Sequence, residues 1–139
     1  MKKYKVLEDV AIADIAFEIY GKDLNELFEN AALAIFEETT NLNKVEEKEK
    51  KTINITTNKT EDQLFDFLSE ILFLKDKDSF LFKTAKVDIK KNNLSAELKG
   101  EPIDRNKHEL RNDIKAITLH MFKIEKTKDG YKATVVVDV

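Results

Sequence analysis

Two aspartates in this chain occupy positions where a carboxylate needs an explanation. Asp14 lies in an otherwise apolar stretch, residues 11–17, and Asp138 follows three valines. If Val139 is the natural terminus, its α-carboxylate adjoins the Asp138 side chain, and such close carboxylates repel each other unless a cation lies between them. Hard oxygen ligands of this kind suit Ca²⁺ or Mg²⁺. On spacing alone, the simpler interpretation is stronger: a terminal aspartate is usually a solvated strand end, and a single aspartate among apolar residues is often a cap.

Other catalytic groups are scarce. The sequence has no cysteine, which excludes disulfides, thiolate zinc sites and cysteine nucleophiles. The three glycines, at positions 21, 100 and 130, are too far apart to form a phosphate-binding loop, and no serine lies in a Gly-x-Ser-x-Gly motif. His108 and His120 are expected to be structural or surface residues, because imidazole prefers softer metals than Ca²⁺. An enzyme that acts alone is therefore not expected.

Length and charge narrow the class of protein further. The 139 residues fit one domain, residues 1–139. The 24 basic and 27 acidic residues give a net charge of −3, which disfavours a general nucleic-acid binder. No apolar run approaches the roughly 20 residues that span a bilayer, and Glu8 and Asp9 interrupt what would be the apolar part of a signal peptide. We expect a cytoplasmic protein that does not contact a membrane.

Two helices must help to position these residues. Asp23 with Glu26 three residues later indicates a helix start, and apolar residues from Leu24 to Phe36 follow at helical spacing. This pattern predicts a helix from Asp23 to about Glu37. Thr60 and Gln63 repeat the start signal, which predicts a second helix from Thr60, as N-cap, to about Lys75. We expect the apolar stripes of both helices to form the core; they include Leu27, Ile35, Leu68 and Ile71.

The remaining segments favour strands. Alternation and apolar runs predict strands over residues 3–7, 13–20, 51–56, 80–89, 94–98, 114–124 and 133–139. Turns are expected at 91–93 and at Lys128–Asp129–Gly130, while residues 100–104 break the strand pattern. The resulting order, ββαβαββββ, predicts an α+β fold: a mixed, largely antiparallel β-sheet with two main α-helices packed against it.

Several motifs, in this order and spacing, resemble the archease family along nearly the whole chain. They are Ala11–Ile12–Ala13–Asp14–Ile15, Tyr20–Gly21–Lys22–Asp23–Leu24, Gly100–Glu101–Pro102–Ile103–Asp104, His108–Glu109–Leu110 followed by Ile114–Thr118 and His120, and the ending from Asp129 to Asp138. One departure is that Ala11 and Ile12 replace the His-Thr that usually precedes the acidic residue in the family. Leu119 also stands where the family commonly has an aromatic residue.

The resemblance implies an accessory role rather than catalysis. Archeases promote guanylylation of an RNA ligase of the RtcB type, which joins RNA ends in tRNA splicing, so the expected partner is that ligase and RNA is involved only indirectly. The family's metal site corresponds to Asp14, Asp138 and the carboxylate of Val139, with Ca²⁺ as the expected ion and Mg²⁺ or Mn²⁺ as alternatives. Glu101, Asp104, Lys115 and His120 are expected to face the partner; for the first three, a solvated loop is the alternative. Self-association is left open.

Two other functions remain open at this point. The family is also linked to RNA methyltransferases and its fold is similar to a chaperone domain, which implies a general chaperone or a modulator of RNA-modifying enzymes such as a tRNA methyltransferase. The third hypothesis is a metal-dependent enzyme. An activator should change ligase turnover at substoichiometric amounts, a chaperone should suppress aggregation of unrelated proteins, and an enzyme should act alone.

Overall fold

The computed structural model describes residues 2–7 and 14–139 and contains two antiparallel sheets and two long helices. The elements are β1 (Tyr4–Leu7), β2 (Asp14–Gly21), α1 (Leu24–Thr39), β3 (Glu49–Thr56), α2 (Thr60–Asp78), β4 (Phe80–Lys90), β5 (Asn93–Pro102), β6 (Ala116–Thr127) and β7 (Gly130–Asp138), with a short 3₁₀ turn at Leu42–Lys44. The predicted order ββαβαββββ and the α+β class are confirmed. Ala13, the predicted first residue of β2, lies outside the described residues, as do Ala11 and Ile12.

The strands divide between two sheets rather than forming one. The first sheet has the order β1-β2-β7-β6 and the second has the order β3-β5-β4, and every neighbouring pair is antiparallel. Helix α1 contacts β2 and β4, and helix α2 contacts β3, β4 and β6, so each helix touches both sheets. This arrangement lets the helices fill the core between the two sheets.

Helix α1 forms as its apolar stripe predicts. The Asp23 side chain accepts a hydrogen bond from the Glu26 amide at 2.8 Å, which satisfies one of the free N–H groups of the first turn. The Glu26 carboxylate accepts in return from the Lys22 amide at 3.1 Å, one residue before the position expected for a capping box. Leu27 and Ile35 are buried, as predicted.

Helix α2 also packs its apolar face inward, but its predicted start signal is wrong. Leu68 and Ile71 are buried, and Phe67 stacks on Phe28 of α1 with ring centroids 5.9 Å apart. The N-cap is Lys59, which makes no side-chain capping bond, so Thr60 is already helical. The Gln63 side chain instead donates to the Lys91 carbonyl in the β4–β5 turn, at 3.2 Å.

Strand β5 continues beyond the predicted break, to Pro102, because Gly100 permits a close approach of β4. A Cβ atom at Gly100 would lie 1.9 Å from the Leu81 carbonyl oxygen. The register between β4 and β5 shifts at this point, between Phe82 and Thr84. A glycine inside a strand is typical of such close backbone approaches. The predicted Asp129–Gly130 turn is confirmed, with Gly130 at φ 149°.

Candidate metal centre

The two aspartates that the sequence singled out are brought together by strand pairing. Asp14 begins the described part of β2 and Asp138 ends β7, and the antiparallel register places them directly opposite each other. Side chains in such a position lie on the same face of the sheet, with Cβ atoms about 4.5–5.5 Å apart. Ala116, at the start of β6, is the partner of Asp138 on its other side, so a small side chain borders the pair.

Asp14 and Asp138 are two like charges held close together, and this proximity affects the pKa of Asp14. Partial burial, a side-chain hydrogen bond with Asp138 and the charge of Asp138 raise the pKa of Asp14, whereas His120 lowers it. Two ionised carboxylates cannot hydrogen-bond to each other, because both only accept. The arrangement therefore accommodates either a shared proton or a cation between the two groups.

Val139 and two of the predicted partner-facing residues lie around this end of the sheet. Val139 follows Asp138 and is half-buried. The Lys115 amide donates to the Asp138 carbonyl at 2.8 Å, which fixes the backbone where β7 ends, while the Lys115 side chain is exposed. His120 is exposed and close enough to Asp14 to act on its pKa through charge.

The other two predicted partner-facing residues lie together elsewhere, in and after the end of β5. Asp104 is exposed, and its carboxylate accepts from the Asn106 amide at 3.0 Å. Glu101, in contrast, is only 4 % exposed. Its burial contradicts the expectation that its carboxylate faces a partner, because the groups that it binds belong to the same chain.

Glu101 is the centre of a structural network. Its carboxylate accepts from the Glu46 amide at 2.7 Å, from Lys107 Nζ at 2.8 Å and from His108 Nε2 at 3.1 Å. Burial alone would raise its pKa, but these hydrogen bonds outweigh burial and lower the pKa of Glu101 to about 2. His108 Nδ1 accepts from the Asp104 amide at 2.9 Å, which assigns the ring proton to Nε2 and makes this histidine structural.

The donor set at Asp14 and Asp138 fits a hard cation, but it is small. Within residues 2–7 and 14–139, no group of three or more His, Cys, Asp or Glu side chains is arranged to hold a metal ion. The predicted set consists of two side-chain carboxylates and one main-chain carboxylate, so it depends on Val139 being the natural terminus. Carboxylate oxygens are the ligands that Ca²⁺ and Mg²⁺ prefer, and both ions accept additional water or carbonyl oxygens.

One feature beside this site was missed by the sequence analysis: the irregular middle of β6. The register passes from Thr118–Val136 to Lys123–Thr134, which is five residues along β6 against two along β7. Met121 has φ 56°, and Leu119 and Met121 are 74 % and 52 % exposed. Simple alternation from the buried Ile117 would place both side chains in the core, so the sequence contained no signal for the bulge.

Comparison with known proteins identifies the class. The model of the Archease protein family (MTH1598/TM1083) matches residues 4–139. Proteins named "Protein archease" from Sulfurisphaera tokodaii and Pyrococcus abyssi are 41 % and 38 % identical, each over 100 % of both chains. The chain belongs to the archease family.

Two solved structures share the fold. The solution structure of protein 1598 from Methanobacterium thermoautotrophicum has a TM-score of 0.84 and 38 % identity, with 100 % of both chains covered. The crystal structure of a Thermotoga maritima protein, described as an archease and possible chaperone, has a TM-score of 0.70 and 28 % identity over 93 % of both chains. In the described part of this chain, no helix is long and apolar enough to cross a membrane.

Proposed function

We propose that this protein is a non-catalytic activator of an RNA ligase of the RtcB type, and that it promotes guanylylation and repeated turnover of that ligase. Membership of the archease family supports an accessory role. The single observation that carries the proposal is the pairing of Asp14 with Asp138 at one end of the first sheet. This pairing brings together two carboxylates from distant parts of the chain.

The proposed site holds a divalent cation, with Ca²⁺ as the expected ion and Mg²⁺ or Mn²⁺ as alternatives. Asp14, Asp138 and the Val139 carboxylate would bind it. The bound ion would neutralise the carboxylates and present open coordination positions to oxygen ligands of a partner. The chain's own contribution is to hold Asp14 and Asp138 in register, with the Lys115 amide fixing the end of β7.

Ligase activation is tested by adding this protein at substoichiometric amounts to purified ligase and following GMP attachment. We expect the guanylylated fraction to rise above that of ligase alone, and the Asp14→Ala and Asp138→Ala variants to lose the effect. Asp88→Ala is the matched control, because Asp88 is an exposed carboxylate on β4, in the other sheet. GMP attachment that is unchanged by the wild-type protein would contradict the proposal.

Metal binding is tested separately by calorimetry with Ca²⁺, Mg²⁺ and Mn²⁺. The proteins are the untagged chain, the two aspartate variants and a form extended beyond Val139, in which the terminal carboxylate becomes an amide. We expect binding to the untagged chain and weaker binding to the other three. Equal binding by all four proteins would exclude this set of ligands.

A second candidate function is a general chaperone or a modulator of RNA-modifying enzymes such as a tRNA methyltransferase. It is favoured by the exposed apolar side chains Leu119 and Met121 and by the description of the Thermotoga relative as a possible chaperone. Suppression of aggregation of an unrelated protein, with no effect on the ligase, would support this candidate over the activator.

A further inference from the structure

Two edge strands in the described part of this protein, β4 and β6, are capped by helix side chains. At the free edge of β4, the Val87 amide donates to Glu29 at 2.8 Å and the Ile89 amide donates to Asn25 at 2.9 Å, so α1 covers this edge. Glu61 of α2 accepts from the Ile124 amide of β6 at 2.8 Å. Covering an edge in this way prevents it from pairing with a strand of another chain.

Other features protect the edges at β6 and β1 of the first sheet. Strand β6 is interrupted by its bulge, and β1 has only four residues. Short strands and bulges are both typical devices against pairing between chains. Strand β3, the outer strand of the second sheet, is different, because it runs regularly over eight residues, Glu49–Thr56.

The outward backbone groups of β3 can be identified from its pairing with β5. The Thr57 amide donates to the Asn92 carbonyl at 3.0 Å, in the same register as the rest of the ladder. Hydrogen bonding alternates along an antiparallel pair, so the N–H and C=O groups of Thr52 and Asn54 point away from β5. No side chain in residues 2–7 or 14–139 caps these groups as Asn25 and Glu29 cap β4.

A groove runs between this edge and helix α2. It has a volume of about 530 Å³, and it is lined by Thr52–Ile55 of the strand and by Asp66, Ser69, Glu70 and Phe73 of the helix. Phe73 is 56 % exposed, whereas Phe67 of the same helix is fully buried. A bare strand edge next to an exposed aromatic ring is the arrangement that accepts an extended peptide as an additional strand.

The charge of the helix wall indicates which peptide would fit. The ion pairs of α2 are at its C-terminal end, where Lys75, Lys77, Asp76 and Asp78 have partners. Asp66 and Glu70 take part in no ion pair among the described residues. The groove therefore presents two uncompensated carboxylates beside Phe73, and a second copy of the chain would bring another acidic helix against them.

We propose that the groove between β3 and α2 binds an extended segment of another protein, which adds to β3 as a fourth strand and carries basic and apolar residues at every second position, on the side that faces α2. Its main chain would pair with Thr52 and Asn54, while its basic side chains meet Asp66 and Glu70 and an apolar one covers Phe73. The site is separate from the aspartate pair, and the inference does not depend on the proposed ligase activation.

The test uses an eight-residue capped peptide. Threonine occupies every second position, and valine and lysine take turns at the positions between. It is titrated into the ¹⁵N-labelled full-length protein and followed by NMR. We expect amide shifts confined to β3 and to the facing side of α2, with a dissociation constant on the order of 1 mM or below. A peptide with glutamate in place of lysine should bind more weakly. The absence of shifts at these residues, or equal binding of the acidic peptide, would overturn the proposal.

Variants of the protein separate the contribution of the acidic side chains to peptide binding from that of the Phe73 ring. Asp66→Asn should weaken binding about two- to fivefold, as for an exposed ion pair, and Phe73→Ala should weaken it at least as much. Asp88→Asn makes the same change at the covered edge of this sheet and should leave binding unchanged. If Asp88→Asn weakened binding as much as Asp66→Asn, the attraction would come from net charge rather than from the groove.

The strand mode is tested by two N-methylated peptides, one methylated at the odd positions and one at the even positions. An added strand uses only one of its edges, so only one of the two peptides should lose binding. Equal binding of both would exclude strand addition. Sedimentation of the free protein adds a last check, because a dimer that Phe73→Ala dissociates would mean that a second copy, and not another protein, occupies the groove.

Discussion

Glu101 and Asp14 are carboxylates in opposite situations. Glu101 is 4 % exposed, yet an amide, a lysine and a histidine of the same chain hold its charge and lower its pKa to about 2. Asp14 is at the surface end of its strand, yet its closest ionisable partner is another carboxylate and its pKa is raised. The buried carboxylate is the one that is satisfied, and the accessible one is not.

This difference distinguishes structural charge from charge that is available to a ligand. At Glu101 every strong interaction is made within the chain, so a partner would have to break hydrogen bonds to use it. At Asp14 partial burial and the charge of Asp138 outweigh the favourable charge of His120, and a proton or a cation from solution would stabilise the pair. The following predictions act on this contrast.

The largest expected effect is on stability at Glu101. Glu101→Gln removes the charge that Lys107 and His108 bind, and we expect a loss on the order of 2–3 kcal/mol in the free energy of unfolding. Glu97→Gln, on the same strand, is the control, because Glu97 is exposed and its ion pair is with the exposed Lys50. Urea unfolding measures both losses. Equal losses would show that the buried hydrogen bonds of Glu101 stabilise the fold no more than an exposed ion pair does.

The second effect concerns cation-linked stability. A cation that binds only the folded protein, at 100 times its dissociation constant, should raise the free energy of unfolding by about 2.7 kcal/mol. We expect Ca²⁺ to do this for the untagged wild type and for Glu97→Gln, but not for Asp14→Asn. Thermal unfolding with and without Ca²⁺ is the measurement, and the same stabilisation in Asp14→Asn would place the ion elsewhere.

The third prediction concerns acid, to which the two carboxylates should respond with opposite signs. The pKa of Glu101 is lowered, from 4.5 to about 2, so its contribution is present above pH 4.5 and is lost as the pH falls towards 2. The pKa of Asp14 is raised, so ionisation at neutral pH costs stability and protonation relieves that cost.

Urea unfolding at pH 7, 4.5 and 3 measures these two contributions. Glu101→Gln should lose less stability than the wild type between pH 4.5 and 3, because it lacks the group that titrates. Asp14→Asn should lose more between pH 7 and 3, because it lacks the relief that protonation of Asp14 gives. Identical pH profiles of all three proteins would contradict both assignments.

The smallest effect is that of Asp14→Asn on stability at pH 7 without divalent cations. We expect a change within about 0.5 kcal/mol, as for a surface substitution, and in the stabilising direction because a repulsion is removed. Chelator-treated protein is required for this measurement. A loss as large as that of Glu101→Gln would show that Asp14 is a structural residue, and it would remove the contrast between the two carboxylates.

The sequence by itself determined the two helices and the order of the elements. A helix is defined by contacts three and four residues apart, so the stripe around Leu27 and the cap at Asp23 could be read locally. The two unusual aspartates were also visible, since each lies among apolar residues. The order and spacing of the motifs that contain them were specific enough to indicate the archease family, and the comparisons with known proteins confirmed this family.

Only the tertiary structure decided which strands are neighbours. Alternation shows which residues share a face of a strand, but not which strand lies beside it or where a bulge shifts the register. The division into two sheets, the outward turn of Leu119 and Met121 and the bare edge of β3 all depend on pairings that are distant in sequence. The burial of Glu101 also depends on the tertiary structure. Its partners Glu46 and His108 belong to two separate loops, and the residues next to Glu101 in the sequence do not predict that these loops come together.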